Sequence, residues 1–146
     1  MSGRLEIILG CMYSGKSTEL LRRCNRYASI GKNVLLINHS LDIRTTDKIK
    51  THENVTKDAI KLENLFDIWK NNEHLEKFQS AEVIGIDESQ FFGDLYEFIL
   101  EIEKENMIVI ISGLDGDFQR KPFGQILQCI PLCDEVVKLS AMDMVD

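Results

Sequence analysis

The sequence predicts an α/β fold with a parallel sheet, and three observations carry that reading. Short apolar runs alternate with amphipathic segments from one end of the chain to the other. The runs at residues 34–37, 83–86 and 107–111 hold almost no polar side chain, the mark of strands covered on both faces. The first run, residues 5–9, leads into Gly10, Cys11, Met12, Tyr13, Ser14, Gly15, Lys16 and Ser17, the spacing of a glycine-rich loop between a strand and a helix.

Taken in order, residues 5–9 form a strand, and a helix follows the glycine-rich loop from about Lys16. Leu20, Leu21, Cys24, Tyr27 and Ala28 line one side of it, Arg22, Arg23 and Arg26 lie elsewhere, and Gly31 stops it. Residues 34–37 are the second strand. Residues 48–56 are polar and patternless, a loop or short hairpin. Leu62, Leu65, Phe66 and Trp69 repeat the three-four spacing of a helix. The strand at 83–86 precedes a helix marked by Leu95, Phe98, Ile99 and Ile102, with Asp94 and Glu97 spaced as a capping box. Strand 107–111 and a weaker fifth strand at 136–139 complete the set. Strands that alternate with helices connect by right-handed crossovers and carry helices on both faces of the sheet.

At 146 residues the chain is expected to be one domain with a sizeable core, 1–146. It is 44% apolar and 28% charged, as soluble globular proteins are, and no apolar stretch approaches the ~20 residues that span a bilayer. The opening Met1, Ser2, Gly3 and Arg4 run straight into a strand without a signal or transit pattern, so a cytoplasmic protein without a membrane partner is expected. A net charge of -7 argues against a nucleic-acid-binding surface, which needs clustered cations, but not against a small phosphate ligand. Cys11, Cys24, Cys129 and Cys133 lack paired CxxC spacing. Cys129 and Cys133 share a helical face as buried thiols more readily than as a metal half-site. The three histidines, His39, His52 and His74, are scattered and suggest no metal cluster. Disulfides are not expected in a reducing compartment.

The glycine-rich segment is a P-loop. Its glycines let successive N–H groups curl inward on phosphate oxygens, and the helix that follows aims its positive end at the same place. Lys16 should reach the β- and γ-phosphates of ATP, and the Ser17 hydroxyl should ligate magnesium. Four constrained positions arise by chance in a chain this short on the order of once in a hundred. Asp87 and Glu88 end the apolar strand at 83–86, a Walker B arrangement at the carboxyl edge of a parallel sheet. Asp87 then faces the magnesium shell and Glu88 the attacking group. Without the P-loop, the same pair reads as a solvated strand end.

The residues around these motifs resemble the cellular and poxviral (type II) thymidine kinases. The likeness begins with the P-loop and the Thr18, Glu19 and Leu20 that follow it. It continues through Asp42, Ile43 and Arg44, Thr51 and His52, then Ile86, Asp87, Glu88, Ser89, Gln90, Phe91 and Phe92. It is most specific in Leu114, Asp115, Gly116, Asp117, Phe118, Gln119, Arg120, Lys121, Pro122, Phe123 and Gly124. From there it runs on through residues 136–141. The resemblance implies a P-loop NTPase fold of the RecA-like kind and transfer of the γ-phosphate of ATP to the 5′-hydroxyl of thymidine. It implies Glu88 as general base and Asp42, Ile43 and Arg44 near the phosphates, with Lys16 and Arg44 stabilising developing charge. Ser89 and Gln90 join the nucleotide site, and Met12, Phe91, Leu114, Phe118 and Phe123 enclose the thymine ring and deoxyribose. Ordinary core packing is the alternative for each of those apolar side chains. A tetramer is the usual assembly of the family, so a homo-oligomer is implied.

The match departs from the family near residue 143. The resemblance implies two cysteine pairs on a structural zinc and a loop between them that closes over thymidine. Asp143 and Asp146 stand where the first pair belongs, so no zinc is expected. Two further readings stay open: an ATP-binding module that lacks the substrate loop, and a broader deoxynucleoside kinase.

Overall fold

The computed structural model describes residues 3–11, 15–40, 59–116 and 124–140. Among the described residues six strands form one parallel sheet: β1 (Arg4–Gly10), β2 (Val34–His39), β3 (Ile60–Leu62), β4 (Val83–Ile86), β5 (Ile108–Gly113) and β6 (Glu135–Leu139), in the order β3-β2-β4-β5-β1-β6. Three α-helices stand among the described residues: α1 (Lys16–Ser29), α2 (Asn72–Ser80) and α3 (Leu95–Ile102). Short 3-10 helices at Leu65–Lys70, Ser89–Phe91 and Ile126–Leu132 complete the connections.

Successive strand residues point to opposite faces, and here both faces are covered, which is why the strands read as unbroken apolar runs. On one face Ile8, Val34, Leu36, Val83 and Ile110 pack under Leu20, Leu21 and Cys24 of α1. On the other, Ile7, Leu35, Ile37, Ile84 and Ile111 pack under Phe98, Ile99 and Ile102 of α3, Phe78 of α2, and Leu65 and Ile126. Burying each large aliphatic side chain contributes roughly 1.5–3 kcal/mol, so the two faces together hold the sheet between its helices. Helix α1 approaches so closely over Gly85 that a Cβ there would lie 2.8 Å from both Cys24 Sγ and Leu36 Cδ2.

Two expectations about elements are revised. Leu62, Leu65, Phe66 and Trp69 do not share one helix: Leu62 belongs to β3, an edge strand of three residues, and the rest lie in the 3-10 turn after it. Asp94 precedes α3 but makes no side-chain cap to it. Its carboxylate instead accepts from Leu65 N–H at 3.1 Å and Phe66 N–H at 3.0 Å, tying the 3-10 turn to the start of α3. The loop at residues 48–56 lies outside the described residues. No helix among the described residues is long and apolar enough to cross a membrane.

Candidate active site

Strand β1 delivers Gly10 to the carboxyl edge of the sheet, and α1 starts six residues later at Lys16. The turn between them needs a left-handed residue, which Gly15 supplies with φ 87° and ψ 17°. The N-cap residue is Gly15 itself, which brings no side chain to bond the first helical N–H groups, the groups that a phosphate would use. Lys16 is buried, and its Nζ donates to the Cys11 carbonyl at 2.8 Å across the mouth of the loop. Cys11 itself is exposed.

Asp87 follows β4, and its backbone N–H donates to Ile37 O of β2 at 3.0 Å, which extends the sheet by one rung. Its Oδ1 accepts three hydrogen bonds: from Ser17 Oγ at 3.0 Å, Ser112 Oγ at 2.8 Å and Glu88 N–H at 2.9 Å. Bonds to an ionised acceptor are the stronger kind, and three of them fix the carboxylate between α1, β4 and β5. Glu88 takes up φ 50° and ψ 44°, the one left-handed non-glycine among the described residues, and is buried. Such a conformation costs about 1–3 kcal/mol and persists where the surroundings over-determine it, a signature of functional turns. Cys24 lies beneath this cluster, and its thiol is pushed up to about 12 by burial and then by the Asp87 carboxylate.

Beyond Glu88 the chain turns across the end of β5. Ser89 Oγ donates to Ser112 O at 2.9 Å, and Gln90 Oε1 accepts from Leu114 N–H at 3.0 Å. Phe92 is fully buried, whereas Phe91 is 38% exposed at the carboxyl edge. His39, at the end of β2, packs against both, with ring centroids 5.6 Å from Phe91 and 4.8 Å from Phe92. Leu114 is half-buried, and beside it Asp115 pairs with Lys138 of β6 at 2.8 Å. A cleft of about 420 Å³ lies at the opposite, amino-terminal edge, lined by Leu5, Ile99, Met107 and Asp134 among others. The convergent polar groups belong to the carboxyl edge and not to that cleft.

Of the residues predicted from sequence, Lys16, Ser17, Asp87, Glu88, Ser89, Gln90, Phe91 and Leu114 gather along this one edge, with Gly10, Cys11 and Gly15 forming its loop. Met12, Tyr13, Ser14, Asp42, Ile43, Arg44, Phe118 and Phe123 lie outside the described residues, as do Asp143 and Asp146. Sequence reasoning missed Ser112 and His39. The one signal for Ser112 was a hydroxyl near the end of an apolar strand; His39 carried none. No group of three or more His, Cys, Asp or Glu poised for a metal occurs among the described residues.

A family model described as thymidine kinase matches residues 3–145. Thymidine kinase a of Arabidopsis thaliana is 42% identical over 142 residues, covering 96% of this chain and 59% of that protein. The thymidine kinase of vaccinia virus (strain Ankara) is 44% identical, covering 97% of this chain and 77% of that protein. The cytosolic thymidine kinase of Cricetulus griseus is 42% identical, with 58% of its length covered. The chain thus spans somewhat over half the length of the plant and hamster proteins. Among solved structures, the flagellar accessory protein FlaH from Methanocaldococcus jannaschii superposes with a TM-score of 0.65 at 15% identity, covering 94% of this chain and 71% of that one. AMPPCP-bound DnaA from Aquifex aeolicus superposes at 0.55 and 13%, covering 95% of this chain and 40% of that one. These likenesses show the P-loop NTPase fold.

Proposed function

The chain belongs to the thymidine kinase family, and we propose that it transfers the γ-phosphate of ATP to the 5′-hydroxyl of thymidine, giving dTMP. The observation that carries this is the bond from Ser17 to Asp87, which brings the phosphate loop within one side chain of the acidic turn holding Glu88.

Phosphoryl transfer asks for in-line positioning, neutralisation of charge and an acceptor for one proton. The backbone of residues 10–15 and the start of α1 bind the phosphates, and Lys16 neutralises charge on the transferred group. Ser17 and Asp87 offer a hydroxyl and a carboxylate oxygen, a donor set suited to a hard cation, and would hold magnesium. Bound there, magnesium supplies further charge neutralisation on phosphate oxygens. Glu88, set off from Asp87 by its left-handed turn, takes the proton from the 5′-hydroxyl as its oxygen attacks the γ-phosphorus and the bond to the β–γ bridging oxygen breaks, releasing ADP. Arg44, with Asp42 and Ile43 beside it, stabilises the charge that develops. Ser89 and Gln90 line the nucleotide side, and Met12, Phe91, Leu114, Phe118 and Phe123 enclose the nucleoside; flat bases favour such apolar walls.

The reading extends to a single domain over 1–146, a cytoplasmic setting, no nucleic-acid partner given the charge of -7, and a homo-oligomer, a tetramer by family resemblance. Glu88→Gln tests it: kcat for dTMP formation should fall by roughly 10²–10⁴-fold, the usual worth of a general base, while ATP binding persists. If wild-type protein bound ATP yet formed no dTMP above background at high thymidine, the transfer reading would be lost and a binding module would remain. A panel of deoxynucleosides separates a dedicated kinase from a broad one.

A further inference from the structure

We propose that Gln90 is a positioning residue that pins Leu114, after β5, and Gly124, before the Ile126–Leu132 turn, to the turn carrying Glu88. This rests on the kinase reading for its functional consequence, but the pin itself is a matter of hydrogen bonding and packing.

Gln90 is 4% exposed, two residues beyond Glu88. Its Oε1 accepts from the backbone of Leu114, where β5 gives way to the segment. Immediately before it, Gly113 leaves no room for a side chain: a Cβ would lie 2.6 Å from Gln90 Oε1 and 2.9 Å from Ser89 Oγ. At the far end, Gly124 has φ +71°, and a Cβ there would lie 2.5 Å from Gln90 O and 2.9 Å from its Cα. One residue therefore has a glycine pressed against its side chain at one stem and another pressed against its backbone at the other. Contacts this close admit only glycine and leave little freedom between the parts.

Next to the far stem, a second glutamine continues the same seam. Gln125 Nε2 donates to Gly93 O at 2.6 Å, and its Oε1 accepts from Tyr96 N–H at 2.9 Å. With Ser89 Oγ on Ser112 O, the stretch 89–96 is joined to 112–125 at four points. A backbone N–H must find an acceptor, so the bond to Leu114 also fixes which way the Gln90 amide faces. Its Nε2 has no partner among the described residues, so the oxygen alone makes the bond that holds the stem. Through this seam the distance from Leu114 to Glu88 is set by two intervening residues and not by the longer path through the sheet.

Amide hydrogen exchange on the full chain reads the pin without requiring turnover. In Gln90→Leu, which removes the acceptor at similar volume, the Leu114 amide should exchange roughly tenfold faster, the loss of about one buried hydrogen bond, while amides of β4 and β5 stay protected. Gln90→Glu keeps an oxygen acceptor and should restore most of that protection. In the kinetic arm, Gln90→Leu should raise the KM for thymidine severalfold, and by more than it raises the KM for ATP. Unchanged protection at Leu114 in Gln90→Leu would overturn the proposal, as would equal loss in both variants, since packing alone would then hold the stem. A pin seen by exchange with an equal rise in both KM values would overturn its assignment to the nucleoside side. Absence of thymidine turnover in wild type would count against the kinase reading and leave the exchange result standing.

Discussion

Single side chains at the carboxyl edge are placed by backbone constraints that periodicity does not encode. Glu88 was legible as a functional candidate because it ends an apolar strand beside a second carboxylate, but its left-handed turn was not, since nothing in its neighbours demands φ 50°. Ser112 was hidden inside an apolar run and becomes visible only once β5 lies beside β4, bringing its hydroxyl to Asp87. Cysteine chemistry divides at this scale. Cys24 and Cys129 are buried, with thiols pushed up to about 12 by that burial, whereas Cys11 is exposed on the phosphate loop. Alkylation of the native protein near pH 8, followed by mass spectrometry, should therefore label Cys11 while Cys24 and Cys129 remain unmodified. Saturating MgATP should slow labelling of Cys11, and an unchanged rate would argue that the nucleotide does not occupy this loop.

Elements were legible where apolar spacing is regular and illegible where it is short. Strands β1, β2, β4 and β5 and helices α1 and α3 carry several buried side chains each, so their patterns stand out. Strand β3 has only Ile60 and Leu62 buried, and α2 buries Phe78 alone, too little for either period to register. Helix α1 also shows what a helical pattern omits. Its polar side carries Arg23, mostly buried, which reaches Glu6 of β1 at 2.7 Å, Glu19 at 2.7 Å and Glu135 of β6 at 2.6 Å. The helix is thereby stitched to two strands by charge as well as by its apolar face. Glu19 is held down to about 2, from an ordinary 4.5, by hydrogen bonds from Arg22 and then Arg23. A depressed carboxyl stabilises the fold above its unfolded value, and the benefit drains away as pH falls through the folded one. Acid unfolding of wild type should therefore steepen between about pH 4.5 and 2, and Glu19→Gln should flatten that part of the curve. The difference should shrink in high salt, because Arg22 is half-exposed and screened.

At the scale of the whole molecule, both cores rest on one sheet, so unfolding should be a single cooperative event, as is usual below 150 residues. The one tryptophan, Trp69, lies among Phe66, Phe78 and Phe98 with ring centroids 5.3–6.0 Å away, well removed in sequence from the phosphate loop. Its fluorescence is a natural reporter of that event and should share a midpoint with far-UV circular dichroism. A ligand held only by the folded chain at a hundred times its Kd adds about 2.7 kcal/mol. MgATP at that level should raise Tm by about 5–10 °C, and Lys16→Ala should abolish the rise. The fold class and five of the six strands were visible from the alternation of runs and the P-loop. The order of strands was not, because which strands lie side by side depends on long-range pairing that no local pattern records.

That order bears on how the chain matures during synthesis. Strand β1 lies between β5 and β6, with Arg4 opposite Ile108 and Glu6 opposite Glu135, and the N–H of Leu5 bonded to Asp134 at 2.8 Å. Strand β1, the first of these six to leave the ribosome, therefore waits for partners on the order of a hundred residues behind it, about 5–20 s at usual elongation rates. Until then the greasy leading segment has no sheet to join, and the nucleotide loop attached to it has no rigid base. A nascent chain of this protein should be a client for holding chaperones until β5 and β6 emerge, gaining nucleotide affinity only once both are out.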